Sequence, residues 1–551
     1  MPSAAVLAPV ALLVLGSAAV ATLGLLGVNA GRLGAGVSGA GAALALVLVW
    51  VPVRSTQELN LGSLGFGPSF DLRLDAVAFA FGLMVLLPAA VLMAMQRRRW
   101  QEAAVGTLGL AAAIVALEAG DVVLTAVAGG TAATLAVVQL DSEDEASRRP
   151  RWSELLAAWL ILGLAGAILQ VRGGTAAYSA VPATSFTGPV FVLLAVSALL
   201  ASGLVPWKAW PSQLWSRPST RAAGMTVATL YPLGFYLLVR GYEMGNGHYP
   251  VAAFSIVLGA LGVLIAFGAA MRAQAAATRG DFLGEVVPGF GGFALMTLAL
   301  GEPLGLAASL TTLSVAAALT TCIALLPRTS GAHSLVAVAA AVGVPPGLAF
   351  GARVLGIEST FEGGNLMGLI GLLGVVAWTV WILAAARALG LPGDGVTPGG
   401  ETFPKVATAI AAFTLLAGPA LPAFQTLLAN PAQADVMSTP AEPVAGGLIS
   451  VVTVSTVLPA LTLFGPLFVL GVVAFFFARR GFARSSSRPP PFALPFADLV
   501  DRARAAARDA AVPEQYRSLA NARLIESVVA GGRPVLWLAS LVALGFAVTR
   551  L

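Results

Sequence analysis

The stretch VPWKAWPSQLWSRPSTRAAGMTVATLYPLGFYLLVR, residues 205–240, packs proline and charge between two oily segments. It holds Pro206, Pro211 and Pro218, three tryptophans (Trp207, Trp210, Trp215), Lys208, and the arginines Arg217, Arg221 and Arg240. The only other lysine in the chain is Lys405. Proline removes an amide donor and clashes with the preceding helical turn. The apolar run 187–205 therefore breaks at Pro206, and a second apolar run, 220–241, starts beyond the elbow. A broken helix frees backbone groups that lipid cannot satisfy, so the break must face a protein interior or a water-filled path.

Composition sets the solvent. Of 551 residues, 58% are hydrophobic and 10% charged, and the mean hydropathy is +0.88. Soluble domains carry about 25% charge, so the bilayer is the medium for this chain. A net charge of +5 would suggest nucleic acid in a soluble protein. Here the positive-inside rule explains it, and no nucleic-acid partner is expected. The single cysteine, Cys322, excludes a disulfide or a cysteine-held iron–sulfur cluster within this chain. No HExxH, CxxC, P-loop or nucleotide-binding GxGxxG pattern is present, so no cofactor and no metal are expected. The apolar N-terminus lacks a basic leader region and reads as the first span.

A span needs about 20 apolar residues. Sixteen segments qualify: 4–29, 34–53, 72–96, 101–119, 121–140, 153–171, 187–205, 220–241, 250–272, 283–301, 304–327, 332–357, 364–388, 405–429, 447–478 and 534–550. With the N-terminus outside, 25 of the 31 basic residues fall in inner loops. The expectation is thus an all-α polytopic protein of about 16 spans in the inner membrane of a prokaryote, with both termini on the outer side. Residues 479–533 begin with the basic turn RRGFARSSSRPPP and continue as an amphipathic helix too polar to span. That segment is expected to lie along the inner surface before the final span, 534–551.

A second break, VGVPPGLAFGARVL at 342–355, carries Pro345 and Pro346. The two breaks fall in spans seven and twelve, five spans apart. Paired breaks of this kind point to inverted repeats with an ion path at the broken helices. The organisation expected is spans one to three (1–100), a first repeat (101–241), a second repeat (250–388), and two further spans (405–478) before the amphipathic segment.

These residues resemble the antiporter-like membrane subunits of respiratory complex I, membrane-bound hydrogenases and Mrp-type antiporters. That family reads F-P-x-H-x-W-L-P-D-A-M-x-G-P-T-P-V-S-A and then a helix ending G-V-Y-L-L-x-R. Pro206, Trp210, Pro218 and the run from Gly234 to Arg240 match it without a gap. FDLRLDAVAFAFGLMVL (70–86) resembles the family's third span, with Asp75 in place, and Gly343, Pro345 and Phe350 match its A-G-x-P-x-x-G-F segment. The topology is closest to the largest, quinone-distal complex I subunit.

The resemblance implies a mid-membrane row of titrating groups, and most are missing. The fifth-span glutamate falls near Gly130, the seventh-span lysine at Ala201, and the eighth-span histidine and lysine at Thr226 and Pro232. The eleventh span offers only Thr311, Thr312, Ser314, Thr320 and Thr321. Arg353 stands where the twelfth-span lysine would be, and an arginine does not release its proton at working pH. Arg353 either holds a structural ion pair or anchors an anion.

The remaining ion-path candidates are Glu285, a carboxylate one turn into span ten, and Lys208, which is either a displaced relay lysine or an inner-face anchor. Asp75 is expected to pair with Arg73 or Arg54, Arg240 to snorkel at the outer face, and Glu118 and Asp121 to lie in a solvated outer turn. The function expected is that of a membrane-arm subunit of a complex I-like (NADH:quinone oxidoreductase-type) assembly, working in proton translocation or its coupling with a degenerate central path. Its partners would be neighbouring membrane subunits, the lipid bilayer, and protons or another small ion. The alternatives are a subunit of an inorganic-carbon uptake or Mrp-type antiporter complex, and a non-conducting scaffold.

Overall fold

A computed structural model describes residues 4–63, 69–95, 99–143, 152–204, 210–215, 221–300, 303–326, 331–343, 347–391 and 403–436. Lys208, Pro206, Pro345 and Pro346 lie outside these residues, as do the amphipathic segment and the last two expected spans.

Helices α1 (Ala8–Leu25) and α2 (Gly31–Trp50) lead into an antiparallel hairpin, β1 (Gln57–Ser63) and β2 (Ser69–Leu74). Then come α3 (Ala76–Met95), α4 (Trp100–Glu118), α5 (Val122–Glu143), α6 (Trp152–Gly173), α7 (Gly188–Ala201), α8 (Trp210–Trp215) and α9 (Arg221–Met244). The second half holds α10 (Ala253–Gln274), α11 (Arg279–Gly284), α12 (Val286–Leu298), α13 (Pro303–Leu325), α14 (Gly331–Val342), α15 (Leu348–Glu362), α16 (Asn365–Gly390) and α17 (Pro404–Leu416). Among the described residues, ten helices are long and apolar enough to cross a membrane. A bent pair, Pro404–Leu416 with Gly418–Val436, makes an eleventh. The fold is an all-α polytopic membrane fold with one short hairpin added. In the sequence that hairpin merges with the third span, because Phe70, Leu72 and Leu74 alternate just ahead of a helix that is apolar all round.

The inward and outward faces follow the bilayer. Helix α9 is buried along its whole spanning window, and α3 and α13 over 83% of theirs, so these three form the centre. Helices α1 and α2 expose Leu15, Leu25, Leu33, Val37, Leu44 and Leu48, which suits a lipid-facing flank. Where helices cross most closely, small residues allow it: a Cβ on Gly262 of α10 would collide with backbone atoms of Gly292 and Met296 on α12.

The repeat is visible in the neighbours. Spans four to eight pack in the order α4 on α5, α5 on α6, α6 on α7, α7 on α9, and α9 back on α5 and α4. Spans nine to thirteen repeat it: α10 on α12, α12 on α13, α13 on α14 and α15, α15 on α16, and α16 back on α12 and α10.

Both expected breaks are present, and both turn on a glycine in the left-handed region. Helix α7 stops at Ala201, and Gly203 (φ +60°) turns the chain. The Leu204 N–H closes onto the Leu199 carbonyl at 2.7 Å and the Gly203 N–H onto Leu200 at 3.1 Å, a glycine-terminated helix end. Helix α14 stops at Val342, and Gly343 (φ +73°) turns it. A third break, at Ala417, bends the span-fourteen pair by 63°. Gly418, Pro419 and Pro422 lie at the bend, inside a stretch whose hydropathy stays high throughout.

Placing a Cβ on Gly203 brings it within 2.5 Å of Pro211 Cδ in an unfavourable backbone region. Gly203→Ala is expected to destabilise the fold by ~1–2 kcal/mol, read as a lower thermal midpoint in detergent. Gly390→Ala, whose Cβ meets nothing within 4 Å, is expected to leave it unchanged.

Candidate functional site

At the span-twelve break, α14 ends with free carbonyls. The Trp381 indole donates to the Ala341 carbonyl at 2.8 Å, and Arg353 Nη1 donates to the Val342 carbonyl at 2.7 Å. Arg353 is 2% exposed. Its guanidinium lies over Phe290 and Phe293 of α12 and Trp378 of α16, at 4.8, 5.0 and 5.4 Å from the ring centroids. Among the described residues no carboxylate lies within salt-bridge distance of it, and its Nε has no partner. Neither expected arrangement, an ion pair or a bound anion, is needed to place it. The charge caps a broken helix and is solvated by one carbonyl and three aromatic faces. Gly343 leaves room for it, since a Cβ there would stand 2.7 Å from Nη1. The span-seven break is closed in a similar way, with Trp210 Nε1 donating to the Leu200 carbonyl at 3.2 Å.

The rest of the central row carries no titrating group at the aligned positions. Ala201 and Thr226 are buried, and Pro232 lies inside α9. On α13, Thr311, Ser314, Thr320 and Thr321 donate to carbonyls of their own helix, four residues back, at 2.7–3.0 Å. Their protons are turned onto the backbone, so they do not form a chain of hydroxyl donors between helices.

Glu285 sits between α11 and α12, buried, with its carboxylate 2.9 Å from Arg272 Nε. Arg279, its nearer neighbour in sequence, reaches instead to Ser334 and the Leu389 carbonyl.

The densest charge lies at the opposite end of the bundle, beneath the hairpin. Asp75 precedes α3 and accepts from the Ala78 N–H at 2.8 Å. Arg240 reaches it from α9 with two bonds, 2.6 and 3.0 Å, and also binds Glu243 at 2.5 Å. Arg73 of β2 lies 3.2 Å from Asp75 and pairs with Glu243. Arg54 takes no part. Asp435, near the end of the span-fourteen pair, caps the same helix start by accepting from the Ala76 N–H at 2.7 Å. Arg240 is 0% exposed, so it does not snorkel. The hairpin and α9 enclose it, and Tyr178 and Tyr236 cover its guanidinium at 5.3 and 4.9 Å. Burial pushes the Asp75 carboxyl up, but Arg240 and Arg73 outweigh it and hold the group below its ordinary value.

Glu118 and Asp121 do not lie in a solvated turn. They are 1% and 3% exposed. The turn between α4 and α5 is pinned by the Gly120 N–H to the Asp71 carbonyl at 2.8 Å and the Tyr178 N–H to the Gly120 carbonyl at 3.0 Å. Hydropathy could not reveal this, because the cover comes from the hairpin and from the segment after α6.

Three comparisons bear on the fold. No protein-family model matches the chain, and no curated protein does. Among solved structures, the chain is similar to one from the Mrp complex of Dietzia sp. DQ12-45-1b, with 21% identity and a TM-score of 0.72, covering 98% of this chain. It spans 62% of the length of that Mrp chain. It is also similar to a chain of respiratory complex I from Thermus thermophilus (20% identity, TM-score 0.62, 78% of this chain and 99% of that one). A chain of the membrane-bound sulfane sulfur reductase, an archaeal respiratory membrane complex, matches with 16% identity and a TM-score of 0.66 over 95% of this chain and 99% of that one. The fold is therefore that of the antiporter-like membrane subunits.

Asp75→Asn leaves Arg240 short of its buried counter-charge. It is expected to cost ~3–5 kcal/mol, with a lower thermal midpoint. Glu58→Gln, at the 66%-exposed rim of the same cluster, is expected to cost less than about 1 kcal/mol.

Proposed function

We propose that this chain is a membrane-arm subunit of a complex I-like assembly in a prokaryotic inner membrane, with its termini on the outer side. In this reading it couples and docks neighbouring subunits while its own central proton path stays closed. The single observation that carries the reading is Arg353. At the position where the resemblance implies a titrating lysine stands a guanidinium committed to a helix end and boxed by aromatic rings. A lysine there could release and regain a proton, but an arginine keeps its charge. A fixed positive charge repels protons at the point where a relay would pass them. The broken helices remain, each capped, and such elements transmit displacement between neighbours in an assembly. The matched chains come from multi-subunit membrane complexes, which supports subunit partners here too. The distribution of arginine and lysine supports the orientation.

A second reading, a membrane subunit of an Mrp-type or inorganic-carbon uptake complex, is favoured by the 98% of this chain that aligns with the Mrp chain. Affinity purification of the full chain from its native membranes separates the two. Co-purifying quinone-site and iron–sulfur subunits support the first, and antiporter subunits or a large zinc-binding partner support the second. Recovery of the chain alone overturns both. In proteoliposomes the purified chain is expected to pass protons no faster than empty vesicles, and Arg353→Met to leave that rate unchanged. Proton flux above the vesicle background that Arg353→Met alters by tenfold or more would overturn the closed-path reading.

A further inference from the structure

The hairpin end contains a feature that the central path does not use. The turn joining α4 to α5 carries two carboxyls, Glu118 and Asp121, three residues apart and closed off from solvent. Both oxygens of Glu118 are buried without a hydrogen-bond donor among the described residues, and no arginine or lysine there reaches it. Asp121 is half satisfied: Oδ1 accepts from the Leu124 N–H at 2.7 Å, while Oδ2 is buried without a donor. The groups facing Asp121 do not neutralise it. Asp71 on β2 adds a like charge, and Tyr178 spends its hydroxyl proton on Thr125 Oγ1 at 2.8 Å. The Thr125 hydroxyl donates in turn to the Asp121 carbonyl, not its carboxyl. From α9, Tyr236 donates to the Leu117 carbonyl, and Arg240 is already committed to Asp75 and Glu243. Arg240 and Arg73 are thus committed to other carboxylates, and Glu118 and one oxygen of Asp121 are left without a donor among the described residues. An ionised carboxylate buried without donors carries a large desolvation penalty.

We propose that the α4–α5 turn is a proton-binding site, in which Glu118 is held as a neutral acid that takes up and releases a proton at the hairpin end of the bundle, beside the half-satisfied Asp121. The site does not depend on the closed central path. It would give the subunit a place to store protons even where it passes none across. Tyr178 links it to the rest of the cluster, since the same ring that bonds Thr125 lies over the Arg240 guanidinium. A shift of the Arg240–Asp75 pair would therefore be felt at the turn. Burial pushes the Asp121 carboxyl above its ordinary value, against the pull of the Leu124 and Val123 amides, and Asp71 adds to the push.

Infrared spectroscopy of the full chain in lipid, with its aspartate and glutamate carboxyls isotope-labelled, tests this directly. At pH 7 the wild-type chain is expected to give a carbonyl-stretch band of neutral carboxylic acids. Absence of any such band overturns the proposal without recourse to a variant. Glu118→Gln is expected to remove part of that band and leave the ionised-carboxylate band intact, and loss from the ionised band instead overturns the proposal; Asp121→Asn is expected to leave the Glu118 band in place, and its disappearance there overturns the assignment to Glu118. Because a neutral amide replaces a neutral acid of the same shape, Glu118→Gln is also expected to keep its thermal midpoint within about 3 °C of wild type. The midpoint is then measured in sodium and in choline chloride. A rise specific to sodium, lost in either variant, would mean that the turn binds a metal cation, and the proton assignment falls.

Discussion

A bilayer offers no hydrogen-bond partner to a freed carbonyl, and the ends of α7 and α14 are both shaped by that fact. The α7 end folds its amides back through Gly203 and takes a tryptophan indole on its Leu200 carbonyl. The α14 end takes a second indole on Ala341 and a guanidinium on Val342. Once satisfied in this way, a break is no longer a defect. It is a closed helix end, and two such ends, at α7 and α14, turn the chain inside the bundle.

The same constraint explains how an arginine can sit fully buried in a membrane protein without a carboxylate beside it. The carbonyl at the α14 end supplies a partial negative charge at 2.7 Å, and three aromatic faces supply more. The cation is held by what the break itself exposes. This arrangement ties the charge to the fold and leaves it unavailable for exchange. At the other end of the bundle, charge is held in the conventional way. Asp75, Arg240, Arg73 and Glu243 satisfy one another where the hairpin, α3 and α9 converge, and Asp435 brings in the last described helix.

Much of this was legible in residue order. Apolar runs marked the long helices to within a few residues, since the length of a spanning helix is imposed by the membrane, whereas the short α8 and α11 fell outside the runs and α14 and α15 read as one. The prolines at 206, 345 and 346 announced the two breaks, although they lie beside the described helix ends. The third break, at Ala417, also had a proline signal, Gly418-Pro419 and Pro422, but it lay inside a segment read as one continuous apolar run. Asp75 and Arg240 stood out as charges in an oily chain, yet their pairing across 165 positions of sequence could not be read from either one. Glu118 and Asp121 were misjudged for the same reason. A polar turn between two spans looks solvated unless one knows that a hairpin and the segment after α6 lie over it.

What the sequence determined by itself is the medium, the helical class and the placing of the long apolar helices. Each of these follows from composition or local spacing. Only the tertiary structure decided which charges meet, which are left over and which carbonyl each cation serves. Those outcomes depend on side chains brought together from distant helices, and in a low-dielectric interior a difference of an ångström separates a satisfied charge from a costly one.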